Sequence, residues 1–190
     1  MKLKAIFLIL FLALGLNSFA QSLEEISLTD AITNKPLSIA SLSDQKGLVL
    51  LFYDLKCPFA KMYEDRIKNL RSSYSNKGIR FVLVNPNATS ADQASLKDYV
   101  DSSGINLSFL IDSEKVLSKK LEVSKIPEVF LLTKVEGEIQ SVYHGAIDNN
   151  PQAEDAVSEK FLERAINQLL RGEMPSPSQV RATGCNVRAF

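Results

Sequence analysis

The stretch that most constrains this chain is Leu48-Val49-Leu50-Leu51-Phe52, an apolar run followed closely by a cysteine at position 57. The run is short, branched and aromatic, and Gly47 stands before it. That pattern reads as a buried strand rather than a helix. Beyond Cys57 the period changes. Phe59, Met62, Tyr63, Arg66, Ile67, Leu70 and Tyr74 recur at helical spacing, which predicts a helix from about Pro58 to about Ser73. A proline suits a first helical turn, where its missing N–H would have no partner anyway. Cys57 therefore falls where strand becomes helix, at or near the N-cap.

Unpaired N–H groups at a helix start favour negative charge, so a thiolate placed there is stabilised and becomes the more populated, nucleophilic form. Lys56 and Lys61 flank the cysteine and push the same way if they point towards it. The plainer reading is a buried, inert thiol. Position favours a reactive Cys57.

The chain has 190 residues, with 22 basic and 22 acidic side chains and hence no net charge. This gives no electrostatic case for nucleic acid. The length suits one domain around a single core. Residues 1–20 stand apart: Lys2 and Lys4 precede an apolar run from Ala5 to Leu16, and Ser18-Phe19-Ala20 supplies small residues before Gln21. Such a segment is a secretory signal peptide, too short to span a bilayer comfortably. The expectation is an exported protein, periplasmic or extracellular, with no stable membrane span after cleavage between Ala20 and Gln21. Disulfides persist in such compartments.

Along the rest of the chain, Ile26 and Leu28 suggest a short strand before the Asn34-Lys35-Pro36 turn, and Leu37 to Leu42 another short piece. Ile79 to Val84 is an apolar strand after Gly78, ending at Asn85-Pro86-Asn87. A helix is expected from Ser90 to about Ser103, a strand from Leu107 to Ile111, and a helix from Ser113 to about Leu121 capped by Asp112 or Ser113. Val129 to Leu132 reads as a buried strand, with Ile139 to His144 as its hairpin partner across Gly137. Val157 to Arg171 is amphipathic, with Phe161, Leu162, Ala165, Ile166, Leu169 and Leu170 on its apolar stripe. Residues 173–190, with prolines at 175 and 177 and no clear period, read as an extended tail after a domain over 21–172. The sum is an α/β fold: a central mixed sheet with helices on both faces, helix-joined strands parallel, and an antiparallel hairpin at the edge.

This order, with Cys57 after the first main strand and Ile126-Pro127 before the hairpin, resembles the thioredoxin fold. The resemblance implies that Pro127 is cis and lies against the active-site cysteine. A closer likeness is to the redoxin group, the alkyl hydroperoxide reductase/thiol-specific antioxidant proteins, in a peroxiredoxin-like subgroup. It rests on Cys57-Pro58-Phe59, Tyr63-Glu64-Asp65-Arg66, Asn85-Pro86-Asn87, Pro127 to Leu131, Tyr143 to Asp148 and Gly184-Cys185, in that order. It implies a thiol oxidoreductase with Cys57 as nucleophile and Pro127 presenting substrate backbone. Its substrate would be a thiol or peroxide, its electron source a thiol reductant, and no organic cofactor or metal would be needed. Two departures stand out. Ala60 occupies the second position of a Cys-x-x-Cys pair, which precludes vicinal dithiol exchange. Peroxiredoxins use Pro-x-x-x-Thr-x-x-Cys; aligned on Cys57, the threonine position holds Asp54 and the proline position Leu50, and aligned on Ala60 the cysteine itself is gone. The rival is a thioredoxin-fold binding module without redox chemistry.

Cys185 leaves three readings open: a resolving thiol for Cys57, a permanent disulfide that staples the tail, or a cysteine that never meets Cys57. Pairing requires Cα atoms within about 7 Å, which sequence does not supply. His144, the only histidine, stands in an alternating pattern and reads as a surface or loop residue rather than the base of a Cys–His hydrolase. Two cysteines and one histidine are too few for a structural zinc site. Asp54 reads as a strand-end turn residue before a proton acceptor, and Asp148 and Asn149 as loop-shaping residues.

Overall fold

A computed structural model describes residues 22–187 of the protein. The expected signal peptide lies outside the described residues. In chain order the strands are β1 (Ser27–Asp30), β2 (Pro36–Ser38), β3 (Gly47–Phe52), β4 (Ile79–Asn85), β5 (Phe109–Ile111), β6 (Lys125–Ile126), β7 (Glu128–Val135), β8 (Glu138–Gly145), β9 (Gln179–Val180) and β10 (Cys185–Asn186). The helices are α1 (Ile39–Leu42), α2 (Pro58–Met62), α3 (Glu64–Tyr74), α4 (Gln93–Ser103), α5 (Val116–Lys120) and α6 (Phe161–Leu170).

The main sheet runs β2-β1-β5-β4-β3-β7-β8-β9, and β6 and β10 form a separate small ladder. Strands joined by helices are parallel, β3 to β4 and β4 to β5, while β7 and β8 run antiparallel beside β3. The β7–β8 turn places Glu136 and Gly137 both at positive φ, the conformation a two-residue hairpin loop demands.

All six residues of β3 are buried, and their alternation feeds two cores. Val49 and Leu51 face Ile67, Leu96, Leu162 and Ile166, so α3, α4 and α6 cover one side. Leu48, Leu50 and Phe52 face Ile39, Leu42 and Leu117, so α1 and α5 cover the other. A strand buried on both faces has no polar side to alternate, hence its continuous apolar run.

Helix boundaries depart from the sequence pattern for identifiable reasons. The helix expected after Cys57 is broken at Tyr63, which closes α2 and opens α3 with ψ near −4°. The helix expected from Ser113 begins only after Lys115, which sits at φ 55°. Its cap comes from Asp112, whose fully buried carboxylate accepts from the amides of Leu117 and Ser118. The last helix starts at Phe161 instead of Val157, because Asn149 Oδ1 accepts from the amides of Ser158 and Glu159 and holds that segment outside the helix.

The C-terminal tail is extended and packs along the fold. β9 runs parallel to β8, pairing with His144 and Gly145, and becomes the outermost strand of the sheet. β10 pairs antiparallel with β6, Cys185 opposite Ile126 and Asn186 opposite Lys125. Two glycines permit these approaches. A Cβ on Gly145 would lie 1.6 Å from the Val180 carbonyl oxygen, and one on Gly184 2.1 Å from that of Ile126.

Candidate active site

Cys57 occupies the N-cap of α2 with Pro58 at the first helical position, as the strand-to-helix switch predicts. Asp54 shapes the connection. Its Oδ1 accepts from the Lys56 amide and its Oδ2 from Asn87 Nδ2, both at 2.9 Å, so the loop after β4 is tied to the loop after β3. The carboxylate thus serves the turn.

The Cys57 sulfur is bonded to Cys185 in a disulfide, with Cα atoms 6.0 Å apart across 128 residues of sequence. The side chain caps no amide of α2, since its sulfur is turned to Cys185. Lys56 does not point at it either: its ammonium stands 3.9 Å from Asp92 and is largely exposed. Lys61 is exposed on α2. The Lys56 ammonium, considered from sequence as a cationic flank for Cys57, is thus paired with the Asp92 carboxylate. That carboxylate is held below its usual range by hydrogen bonds from Thr89, with Lys56 a smaller contributor.

The third component is the turn before β7. The Ile126–Pro127 bond is cis, and the Cys57 sulfur lies 3.2 Å from the Ile126 carbonyl oxygen. In the disulfide no proton lies between these atoms; reduction to the thiol would supply one. Glu128 fixes this turn from inside. Its buried carboxylate accepts from the amides of Ser124 and Lys125 at 2.9 and 3.0 Å. Thus the structure brings Cys57, Pro127 and Cys185 together. Cys57 is buried under the tail at 3% exposure, while Cys185 is half-buried.

His144 lies elsewhere. Its ring stacks on Phe130 at 5.3 Å between centroids, and Phe130 belongs to the core on the α1–α5 side, whereas Cys57 packs into the core on the other side. Among the described residues, no group of three or more His, Cys, Asp or Glu is placed to hold a metal ion. A cavity of about 250 Å³ opens beside α3 and α6, lined by Arg66, Leu70, Asp148 and Glu163 among others, and neither cysteine lines it.

A buried ionic cluster anchors the Cys57 helix and exceeds what the sequence suggests for Asp148. Arg66 Nη1 donates to Asp148 Oδ2 at 2.6 Å, and the Tyr63 hydroxyl donates to Asp148 Oδ1 at 2.9 Å. Arg66 also donates to the carbonyls of Met62, Asn150 and Pro151, and its guanidinium lies 4.0 Å from the Tyr63 ring centroid. Asp148 still shapes its loop, accepting from the Asn150 amide. The sequence signal was an arginine inside an apolar stripe, which requires a buried partner. Glu128 carried no comparable signal.

The model of the AhpC/TSA family matches residues 20–142. None of the curated proteins matches the chain. Among solved structures, an uncharacterized conserved protein from Geobacillus kaustophilus is similar with a TM-score of 0.77 at 20% identity, over 90% of this chain and 91% of that one. A hypothetical protein from Sinorhizobium meliloti 1021 gives 0.73 at 24% identity, over 85% and 89%. A secreted Mycobacterium tuberculosis disulfide oxidoreductase gives 0.50 at 20% identity, over 61% and 79%. With the cysteine at the start of α2, the cis proline and the mixed sheet in place, the chain belongs to the AhpC/TSA family of redoxins on a thioredoxin-like fold.

Proposed function

We propose that this protein is an exported thiol–disulfide oxidoreductase whose working pair is Cys57 and Cys185. The observation that carries this reading is the disulfide lying against the cis-proline turn. In the reduced protein, the Cys57 thiolate attacks one sulfur of a substrate disulfide. A new S–S bond joins Cys57 to the substrate, and the second substrate sulfur leaves as a thiolate. The Cys185 thiolate then attacks the Cys57 sulfur, releases the substrate as a dithiol and closes the Cys57–Cys185 bond. The substrate gains two electrons and the protein loses them. An external thiol reductant restores the pair by the reverse exchange.

Disulfide exchange is preferred over peroxide reduction, because no threonine hydroxyl stands at the site. The Asp54 carboxylate found there accepts from Lys56 and Asn87 and brings no hydroxyl donor. Export is supported by the residue pattern over 1–20 and by a disulfide that needs an oxidising compartment. One observation favours a second reading, a binding module stapled by this bond: Cys57 is almost wholly covered.

The deciding experiment incubates reduced protein and a Cys185→Ser variant with a protein disulfide and with peroxide, reading sulfur states by mass. Exchange predicts a closed pair in the first and a trapped mixed disulfide on Cys57 in the second. A pair that stays oxidised below about −300 mV, the range of structural disulfides, would establish the staple instead.

A further inference from the structure

We propose that the cavity between α3, α6 and the loop after β8 is a second binding site. It takes an α-ammonium group followed by an apolar side chain and a carbonyl, as in an amino-acid amide or the first residue of a polypeptide. The proposal does not depend on the oxidoreductase reading, since neither cysteine lines this cavity.

Three kinds of wall meet there. Leu70 of α3 with Ile147 and Val157 of the loop supplies an apolar surface. Arg66, one turn before Leu70, supplies a buried donor. Its two terminal nitrogens are fully engaged by Asp148 and by the carbonyls of Met62, Asn150 and Pro151. Its Nε alone has no acceptor among the described residues, although Arg66 is only 7% exposed. A buried polar group left unpaired calls for an explanation, and a missing ligand is one.

The third wall is acidic. Asp148 is neutralised by Arg66 at 2.6 Å, and Glu163 is met by Lys160 at 3.6 Å. Glu154, exposed on the rim, has no counter-charge among the described residues. The lining therefore carries an excess of negative charge beside one unsatisfied donor and an apolar floor.

These walls select among occupants. A carboxylate answers the Arg66 Nε but faces Glu154 and Glu163. A purely apolar molecule leaves the Nε unpaired and strips water from Glu154. A bare ammonium pairs with Glu154 and offers Arg66 nothing. An ammonium joined through an apolar-substituted carbon to a neutral carbonyl meets all three demands. At about 250 Å³ the cavity lies below the usual range for drug-sized ligands, which suits one such residue. Capture of a chain's terminal amine is a known recognition mode.

The test titrates the protein with leucinamide, leucine and N-acetyl-leucinamide, read by calorimetry and by the Arg66 Nε–H resonance. Leucinamide should saturate with a Kd of about 1 mM or tighter and shift that resonance. Leucine, with its added carboxylate, and N-acetyl-leucinamide, without the ammonium, should each bind at least about tenfold more weakly. Glu154→Gln should weaken leucinamide at least about fivefold with an unchanged melting temperature, because this exposed side chain holds nothing in the fold. Leucyl-glycyl-glycinamide separates the sources: retained affinity assigns the site to a polypeptide terminus, and lost affinity assigns it to a free small molecule. Equal binding of the acetylated and free amides, or no saturation by leucinamide at about 20 mM, would overturn the site. Either result leaves the reading of Cys57 and Cys185 untouched.

Discussion

At the scale of single residues, Asp148 shows how a remote carboxylate secures the site. It is buried with Arg66, and the pair joins the helix behind Cys57 to the loop after β8. Such a pair adds little compared with a well-packed apolar substitute, yet removing one partner strands a charge. Asp148→Ala should therefore cost about 3–5 kcal/mol in urea unfolding. Replacing Asp148 and Arg66 together by apolar residues should recover part of that loss. The sequence disclosed one half of this arrangement, the arginine in an apolar stripe. It could not disclose which carboxylate answers it, since Asp148 lies 82 positions away. The same limit hid the Cys57–Cys185 pairing: the residue types were plain, but the separation in space is a property of the closed fold. Cys57 was legible because its place depends on its immediate neighbours, through a change of period, whereas the cis Pro127 came from the resemblance to the thioredoxin fold.

At the scale of elements, tyrosines act as the clamps between helices and sheet. The Tyr53 hydroxyl on the turn after β3 bonds that of Tyr99 on α4 at 2.8 Å, and Tyr99 donates to Glu64 on α3. Tyr74 on α3 donates to Glu163 and Asn167 on α6. Burial pushes all five tyrosines of the chain above their ordinary value, Tyr53 up to about 12. In the unfolded chain these phenols ionise near pH 10. Between about 10 and 12, then, the unfolded state holds fewer protons than the folded one, and rising pH drives unfolding. Their contribution is intact below pH ~10 and is lost as pH passes the folded values. With no tryptophan in the chain, tyrosinate absorbance reports this directly. It should stay low past pH ~10 and rise together with loss of helical signal. A gradual rise centred on the free value, ahead of unfolding, would contradict the clamps. The longer elements themselves were legible, β3 from its unbroken apolar run and α6 from its stripe. β9 and β10 were not, because two residues carry no period; they exist where the tail meets an unpaired backbone edge.

At the scale of the whole molecule, the Cys57–Cys185 bond ties the first main strand to the end of the chain across 128 residues. In the chain-entropy account a loop of this size contributes about 4–5 kcal/mol. Reduction should lower the melting temperature markedly while the β3–β4–β7 centre keeps its amide protection. A reduced protein as stable as the oxidised one would place the tail's anchorage elsewhere. The same tail carries β9, which covers the outer backbone of β8 through the His144 and Ala146 amides. That cover is two residues long and threads past Gly145, with Val180 as its contact to the core. Uncovered strand borders recruit one another. Solutions of this protein should accordingly stay clear and monodisperse in air but turn turbid, or sediment as larger species, once concentrated with strong reductant: colloidal behaviour becomes a readout of sulfur chemistry.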